Sequence, residues 1–329
     1  MAAEAISKQI LMISLTRLAL LNQEARRQPR ATGTQTKPHR LIPIRAIARG
    51  GDRWPLLLIH PVGGSVMAYF DIARYMDAGQ PIYAMENQAD ETELPAPQTV
   101  EQIAQQYLEE LRLTGVKSPW FLGGYSMGGL VAFEMARQLQ AAGRETPAVL
   151  IIDTPSKVRT IERGEDGAVT SEELRLMGKM MALRQAKELD LDEAPLQAAP
   201  PEDRMQVFLD FMKDRGVIPP RVDIGFLWHL IRVVRNNEMA QRQYHPGSYD
   251  GLVTLLRARD LSEELRFEAG DIYDDPAFGW QAYCSQTIEV RKIPGEHLRI
   301  VNEPHCRTLG ATLQSVMDAQ RARRTVPLY

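Results

Sequence analysis

From residue 41 onward, short continuous apolar runs alternate with longer stretches whose apolar residues recur every three or four positions. The run PLLLIH (55–60) is apolar throughout, as expected of a strand covered on both faces. Similar runs predict strands over 41–47, 81–85, 120–124 and 148–153 (AVLIID). Helical spacing predicts helices over 67–76, 99–113 and 127–142, the last stopped by Gly143. Strand and helix in regular alternation imply a mostly parallel sheet with helices on both faces.

The rhythm then breaks for about ninety residues, with no strand signal between Pro155 and His245. Thr170 and Glu173 have the spacing of a capping box, which opens a helix running to 188. Two more helical stretches cover 202–215 and 223–244. Strand patterns return at 251–257 and 288–293, and a last helix is predicted over 304–320. The reading is an α/β domain over 41–329, interrupted by an all-helical lid at 156–246. Ahead of it, Ile6, Ile10, Ile13, Leu18 and Leu21 fall on one face of a helix over 3–22. Residues 28–39, rich in Pro, Thr, Gly and basic side chains, read as a linker. Segment 1–40 therefore lies outside the main core. Its apolar stripe must be covered by the body of the protein or by a second copy in a homodimer.

Composition narrows the function. The 329 residues carry a formal net charge of −3, so nothing points to nucleic acid as a partner. Cys284 and Cys306 have no metal-type spacing and read as free thiols in a reducing, cytoplasmic setting. The apolar stretch 10–21 is only about 12 residues long against the roughly 20 of a membrane span. Arg17 interrupts it, so neither a membrane anchor nor a leader is expected.

Gly124-Tyr125-Ser126-Met127-Gly128 is a G-x-S-x-G pentapeptide, with an apolar strand running in and an amphipathic helix running out. That setting is a nucleophile elbow, where glycines relieve a strained turn and close backbones. A serine hydroxyl needs a base, and in this arrangement the chain order is serine, acid, histidine. His39 and His60 precede the serine, and His60 reads as structural. His229 lies in a lid helix and His245 at the lid's exit. His297, in the loop after the strand ending at Ile293, is the expected base, with His305 at the start of the last helix second. Asp153 and Asp260 both follow strand ends. Asp153 leads as the acid, because Arg257 and Arg259 are near enough to occupy Asp260 in an ion pair. The backbone N–H groups of Met127 and Val62 are the candidate oxyanion donors, since Pro61 has none to give. No metal or resident cofactor is called for.

Five ordered blocks carry a resemblance. They are LLLIHPVGG (56–64), FLGGYSMGGLVAFEMARQLQAAG (121–143), VLIIDTP (149–155), the lid exit from Asn237 to Ala258, and IPGEHLRIVNEPH (293–305). Together these resemble the thioesterase domains of nonribosomal peptide and polyketide synthases, with an α/β-hydrolase fold. The resemblance implies an acyl or peptidyl chain delivered on the phosphopantetheine arm of a carrier protein. It further implies a Ser126 acyl-enzyme, and release by water or by a hydroxyl or amine of the same chain (macrocyclisation). Residues 156–246 match the family's lid, and Met177, Phe208, Phe226 and Leu227 are among its apolar side chains available to line an acyl chamber or pack the lid itself. Segment 1–40 departs from a minimal member, and implies either excision from a longer synthase or a dimerisation element. Arg26, Arg27, Arg30, Lys37 and Arg40 there suit a solvated linker or an acidic carrier. The rival expectations are a lidded carboxylesterase or lipase acting on free esters, and a non-catalytic module on a hydrolase fold.

Overall fold

The computed structural model describes residues 41–45, 53–87, 98–114, 116, 120–145, 147–159, 168–185, 187, 189 and 191–325. The N-terminal helix and linker expected over 1–40 lie outside them. Between 162 and 230 the described residues form one compact unit, and those of 39–161 and 231–329 form a second.

The second unit is built on a seven-stranded sheet of order β1-β3-β2-β4-β5-β6-β7. Its strands are β1 (Leu41–Arg45), β2 (Leu56–Ile59), β3 (Ile82–Met85), β4 (Phe121–Tyr125), β5 (Ala148–Ile152), β6 (Val253–Ala258) and β7 (Glu289–Ile293). β1 pairs antiparallel with β3, and every other pairing is parallel. The central strands are apolar at every position because both of their faces are covered. Leu57 and Ile59 of β2, with Val149 and Ile151 of β5, pack on one face against α2 (Val100–Thr114) and α3 (Met127–Ala141). Leu56, Leu58, Leu150 and Ile152 pack on the other against α1 (Met67–Ala73) and α9 (His305–Thr325). Each such fully buried side chain contributes about 1.5–3 kcal/mol. With helices on both faces of a mostly parallel sheet, the fold is that of an α/β-hydrolase.

Register positions the site. Ile59 pairs with Gly124, Gly124 with Ile151, Ile152 with Leu256, and Ala258 with Ile293. The carboxyl ends of β2, β4, β5, β6 and β7 therefore finish at one edge. The segments that follow them emerge side by side, where ligands of such sheets gather.

The first unit contains α4 (Ser171–Leu183), α5 (Ala194–Ala198), α6 (Arg204–Asp214) and the first part of α7 (Ile224–Gln243). Thr170 accepts from the Glu173 N–H at 3.2 Å and its own N–H donates to the Glu173 carboxylate at 2.9 Å, completing the capping box. Gly178 lets α4 lie against Phe208 of α6, with Met177 also buried inside the unit. α7 continues into the second unit from Ile231. One further helix, α8 (Glu263–Ala269), follows β6; like α5, it was not anticipated by the hydrophobic pattern.

Candidate active site

Ser126 stands between β4 and α3 with φ 54° and ψ −131°, a conformation that an L-residue holds only under local strain. Its neighbours enforce it. The Ser126 N–H donates to Ile152 C=O at 3.0 Å, and its own C=O accepts from Thr154 Oγ1 at 2.7 Å and from the Gly129 N–H at 2.9 Å. Thr154 is braced in turn by Trp280 Nε1, which donates to its carbonyl at 2.7 Å. A Cβ on Gly124 would fall 2.2 Å from the Gly128 backbone, so the elbow closes only with glycine there.

Asp153 follows β5 directly and is fully buried. Its Oδ1 accepts from the Ala258 N–H at 2.7 Å, and its Oδ2 accepts from His297 Nδ1 at 2.9 Å. A carboxylate that can only accept sets the proton on Nδ1, leaving Nε2 as the acceptor atom of a neutral ring. Arg257 and Lys292 place positive charge near Asp153, compensating its buried negative one.

Tyr125, the residue before the serine, holds His297 from a second side. Its hydroxyl donates to the His297 carbonyl at 2.8 Å, and the two rings lie 5.0 Å apart. The Tyr125 N–H donates to Tyr69 Oη at 3.0 Å, and Tyr69 Oη donates to Ile59 C=O at 2.5 Å. Thus β4, β7's loop and β2 are tied together through two buried phenols. Burial raises the Tyr69 phenol, which stays protonated and able to donate.

Of the expected residues, the structure joins Asp153 to His297 and sets the imidazole beside the elbow. Among the described residues no hydrogen bond runs from Ser126 Oγ to His297. Asp260, the other carboxylate weighed as the acid, is engaged elsewhere: Oδ2 accepts from the Gly295 N–H at 2.9 Å and Oδ1 from Arg259 Nε at 2.9 Å. Those two donors hold its carboxyl below the usual range. It anchors the turn that leads into His297. His305 opens α9 with its ring against Gly295.

Met127 is the first residue of α3, so its N–H has no carbonyl one turn back to donate to. The helix start adds partial positive charge beneath the serine. The loop after β2 lies directly alongside: a Cβ on Gly128 would stand 2.1 Å from Ile59 O and 2.8 Å from His60 O. Asn237 of α7, buried, donates through Nδ2 to Val62 C=O at 2.7 Å. Sequence reading missed Tyr125, Thr154 and Asn237 as supports of the site. Each nonetheless lay in a stretch that carried a signal: Tyr125 in the pentapeptide, Thr154 in the block 149–155, where Thr154-Pro155 reads as a stiff turn fixing Asp153, and Asn237 in the lid-exit block. Burial raises the carboxyl of Glu268 of α8.

Among the described residues no helix is long and apolar enough to cross a membrane.

Comparison with known proteins extends over the same region. The model of the thioesterase domain matches residues 54–313. Atromentin synthetase of Tapinella panuoides is 23% identical over 80% of the chain, and chondramide synthase of Chondromyces crocatus is 25% identical over 89%. The chain spans 27% of the first relative's length and 7% of the second's. Among solved structures, the four-domain nonribosomal peptide synthetase holo-AB3403 superposes with a TM-score of 0.72 at 24% identity, covering 91% of this chain and 21% of that one. The wild-type Vlm2 thioesterase domain superposes with a TM-score of 0.57 at 21% identity, covering 84% and 96%. At such identities the superpositions speak for the fold. The family match, spanning the elbow, Asp153 and His297 alike, shows that this chain belongs to the thioesterase domain family.

Proposed function

We propose that Ser126, His297 and Asp153 form the nucleophile, base and orienting acid of a serine thioesterase. Its substrate is an acyl or peptidyl chain carried as a thioester on the phosphopantetheine arm of a carrier protein. Ser126 Oγ attacks the thioester carbonyl as His297 Nε2 takes its proton. The C–S bond breaks and the thiol leaves with that proton, so an ester on Ser126 remains. In the second half, water, or a hydroxyl or amine of the same chain, gives its proton to Nε2 and attacks the ester; the acyl–Oγ bond breaks and Nε2 passes that proton to Ser126 Oγ, which restores the serine and the neutral ring. The N–H groups of Met127 and Val62 stabilise the oxyanion in both halves.

The observation that carries this reading is the buried Asp153–His297 hydrogen bond beside a strained serine elbow. It leaves a neutral imidazole with its lone pair on Nε2. The relatives, a synthetase and a synthase of which this chain spans 27% and 7%, support delivery by a carrier.

The test is intact-protein mass after mixing with acyl-pantetheine thioesters and, separately, with simple esters of the same acids. A mass increase of one acyl group, absent in Ser126→Ala, is expected, with at least a tenfold rate preference for thioesters. Equal or faster reaction with esters would make the protein a carboxylesterase instead. The product from the thioester, acid or ring, identifies the second nucleophile.

A further inference from the structure

In the loop after β2, the carbonyls on either side of the candidate oxyanion donor, those of Pro61 and Val62, are already taken. Pro61 C=O accepts from the Gly64 N–H at 2.9 Å and from His60 Nδ1 at 2.8 Å. Val62 C=O accepts from Asn237, and Gly64 C=O from the Asn87 N–H at 3.0 Å. Among the described residues the Val62 N–H has no acceptor.

A trans peptide is planar, with its C=O and N–H pointing opposite ways. Fixing the Pro61 oxygen therefore fixes the direction of the Val62 N–H. A carbonyl cannot donate, so His60 Nδ1 must carry the proton in this bond. The ring's other nitrogen lies 2.6 Å from Tyr107 Oη, fully buried, and a phenol proton donated to Nε2 holds the imidazole in that tautomer. The two rings meet edge to face, with centroids 5.8 Å apart. Tyr107 belongs to α2, which packs with α3 on the same face of the sheet.

We propose, resting on the triad reading above, that His60 is a positioning residue of the oxyanion hole. It aims the Val62 N–H by holding the Pro61 carbonyl, and Tyr107 is the group that keeps it in the tautomer able to do so. Neither residue touches substrate. The reacting oxygen senses them only through one peptide plane.

Tyr107→Phe keeps the ring contact and removes only the proton given to Nε2. The imidazole can then adopt the Nε2–H tautomer or turn, and Pro61 C=O loses one of its two donors, keeping only the Gly64 N–H. Removing an oxyanion donor outright costs about 10²–10³ in rate. Misaiming one is expected to cost about tenfold to a hundredfold in kcat, counted per Ser126 titrated to completion with a fluorophosphonate. KM for an acyl-pantetheine thioester should stay within twofold. Affinity for a trifluoromethyl ketone analogue, whose adduct places an oxyanion in the hole, should fall in parallel with kcat. His60→Asn, whose amide nitrogen can stand where Nδ1 stood, should retain at least five times the rate of His60→Leu. A structural role alone would lower the titratable fraction and leave rate and ketone affinity per site unchanged. That result, or Asn and Leu variants equally slow, would overturn the proposal. If the wild-type protein is not titrated at Ser126, the triad reading itself fails and this proposal falls with it. If the wild type is titrated and Tyr107→Phe matches it, only the role of His60 is refuted.

Discussion

Replacing Asp153 by asparagine isolates the tautomer of His297 from the packing around it. Asp153 receives two N–H donors, Ala258 at 2.7 Å and His297 Nδ1 at 2.9 Å. An amide has one acceptor atom and one donor atom, so it can satisfy one of them and must present N–H to the other. The Ala258 N–H is fixed in β6, whereas an imidazole can carry its proton on either nitrogen. The amide oxygen is therefore expected to face Ala258 and the amide nitrogen to face Nδ1. His297 then holds its proton on Nε2 and cannot accept one from Ser126. Acylation should fall about 10⁴-fold, as it does for the same exchange in another serine triad. That corresponds to roughly 5.5 kcal/mol of barrier. The Ala258 N–H keeps an acceptor and Nδ1 gains a donor, so unfolding free energy in urea should change by less than about 2 kcal/mol. Single-turnover acylation by an acyl-pantetheine thioester, followed by intact mass, measures the first quantity. Asp260→Asn serves beside it, since it keeps an acceptor for the Gly295 N–H and should slow acylation less than tenfold. A folded Asp153→Asn protein acylating within tenfold of the wild type would refute the assignment of Asp153.

Other expectations concern the scaffold. Gly128→Ala puts a methyl 2.1 Å from Ile59 O, where backbone must move. Titratable Ser126 should drop at least tenfold, and a normally labelled, normally stable variant would contradict the close contact. Fully buried Glu134 accepts from Arg137 at 2.7 Å through both oxygens, from Gln138 at 2.9 Å and from the Tyr244 hydroxyl at 3.0 Å. Glu134→Gln should cost about 3 kcal/mol in urea unfolding, the low end for a broken buried pair because Arg137 is partly solvated. Glu268 has its carboxyl raised by burial, opposed by the charge of Arg242. A raised carboxyl contributes stability that is whole below its unfolded value, about 4.3, and lost as pH rises through the folded one. Glu268→Gln should match the wild type in Tm near pH 4 and exceed it at pH 7 and above. A Tm difference constant with pH would refute that sign.

How much of this was legible in the sequence depended on whether the signal was periodic. The continuous runs at 55–60 and 148–153 read correctly as strands because two covered faces leave no polar positions. The capping box at Thr170 read correctly because it is local chemistry over four residues. α8 escaped notice: its seven residues are mostly charged, and Phe267 points to solvent where a helix stripe should be buried. β1 is described over Leu41–Arg45, with a register irregularity between Pro43 and Arg45, and the last two positions of the strand expected to 47 lie outside the described residues. The supports of the candidate site were the least visible. Tyr125 to His297 spans 172 residues and Asn237 to Val62 spans 175, and a single hydrogen bond across such distances imposes no pattern on the chain. The rule that separated Asp153 from Asp260 was different in kind. An arginine next in sequence to Asp260 was expected to occupy it, and Arg259 does so, while the Gly295 N–H takes the other oxygen.

Hydrogen bonds hold the histidine, but van der Waals exclusion sets how closely the nucleophile elbow meets the oxyanion loop. Gly128 lies on the carbonyls of Ile59 and His60, and Gly124 lies on Gly128, so β2, β4 and the first turn of α3 are stacked with no side chain between them. The glycines of the pentapeptide thus do two things at once. They permit the turn at Ser126, and they fix the spacing between Met127, which follows the serine, and Val62, which follows Pro61. Hydrogen bonds can stretch by several tenths of an ångström at small cost, whereas a contact already inside the radius of a Cβ cannot yield inward. A hard stop of this kind suits two N–H groups on separate segments that must converge on one oxygen. The soft adjustment is left to the direction of the Val62 peptide, and that is where His60, Tyr107 and Asn237 act.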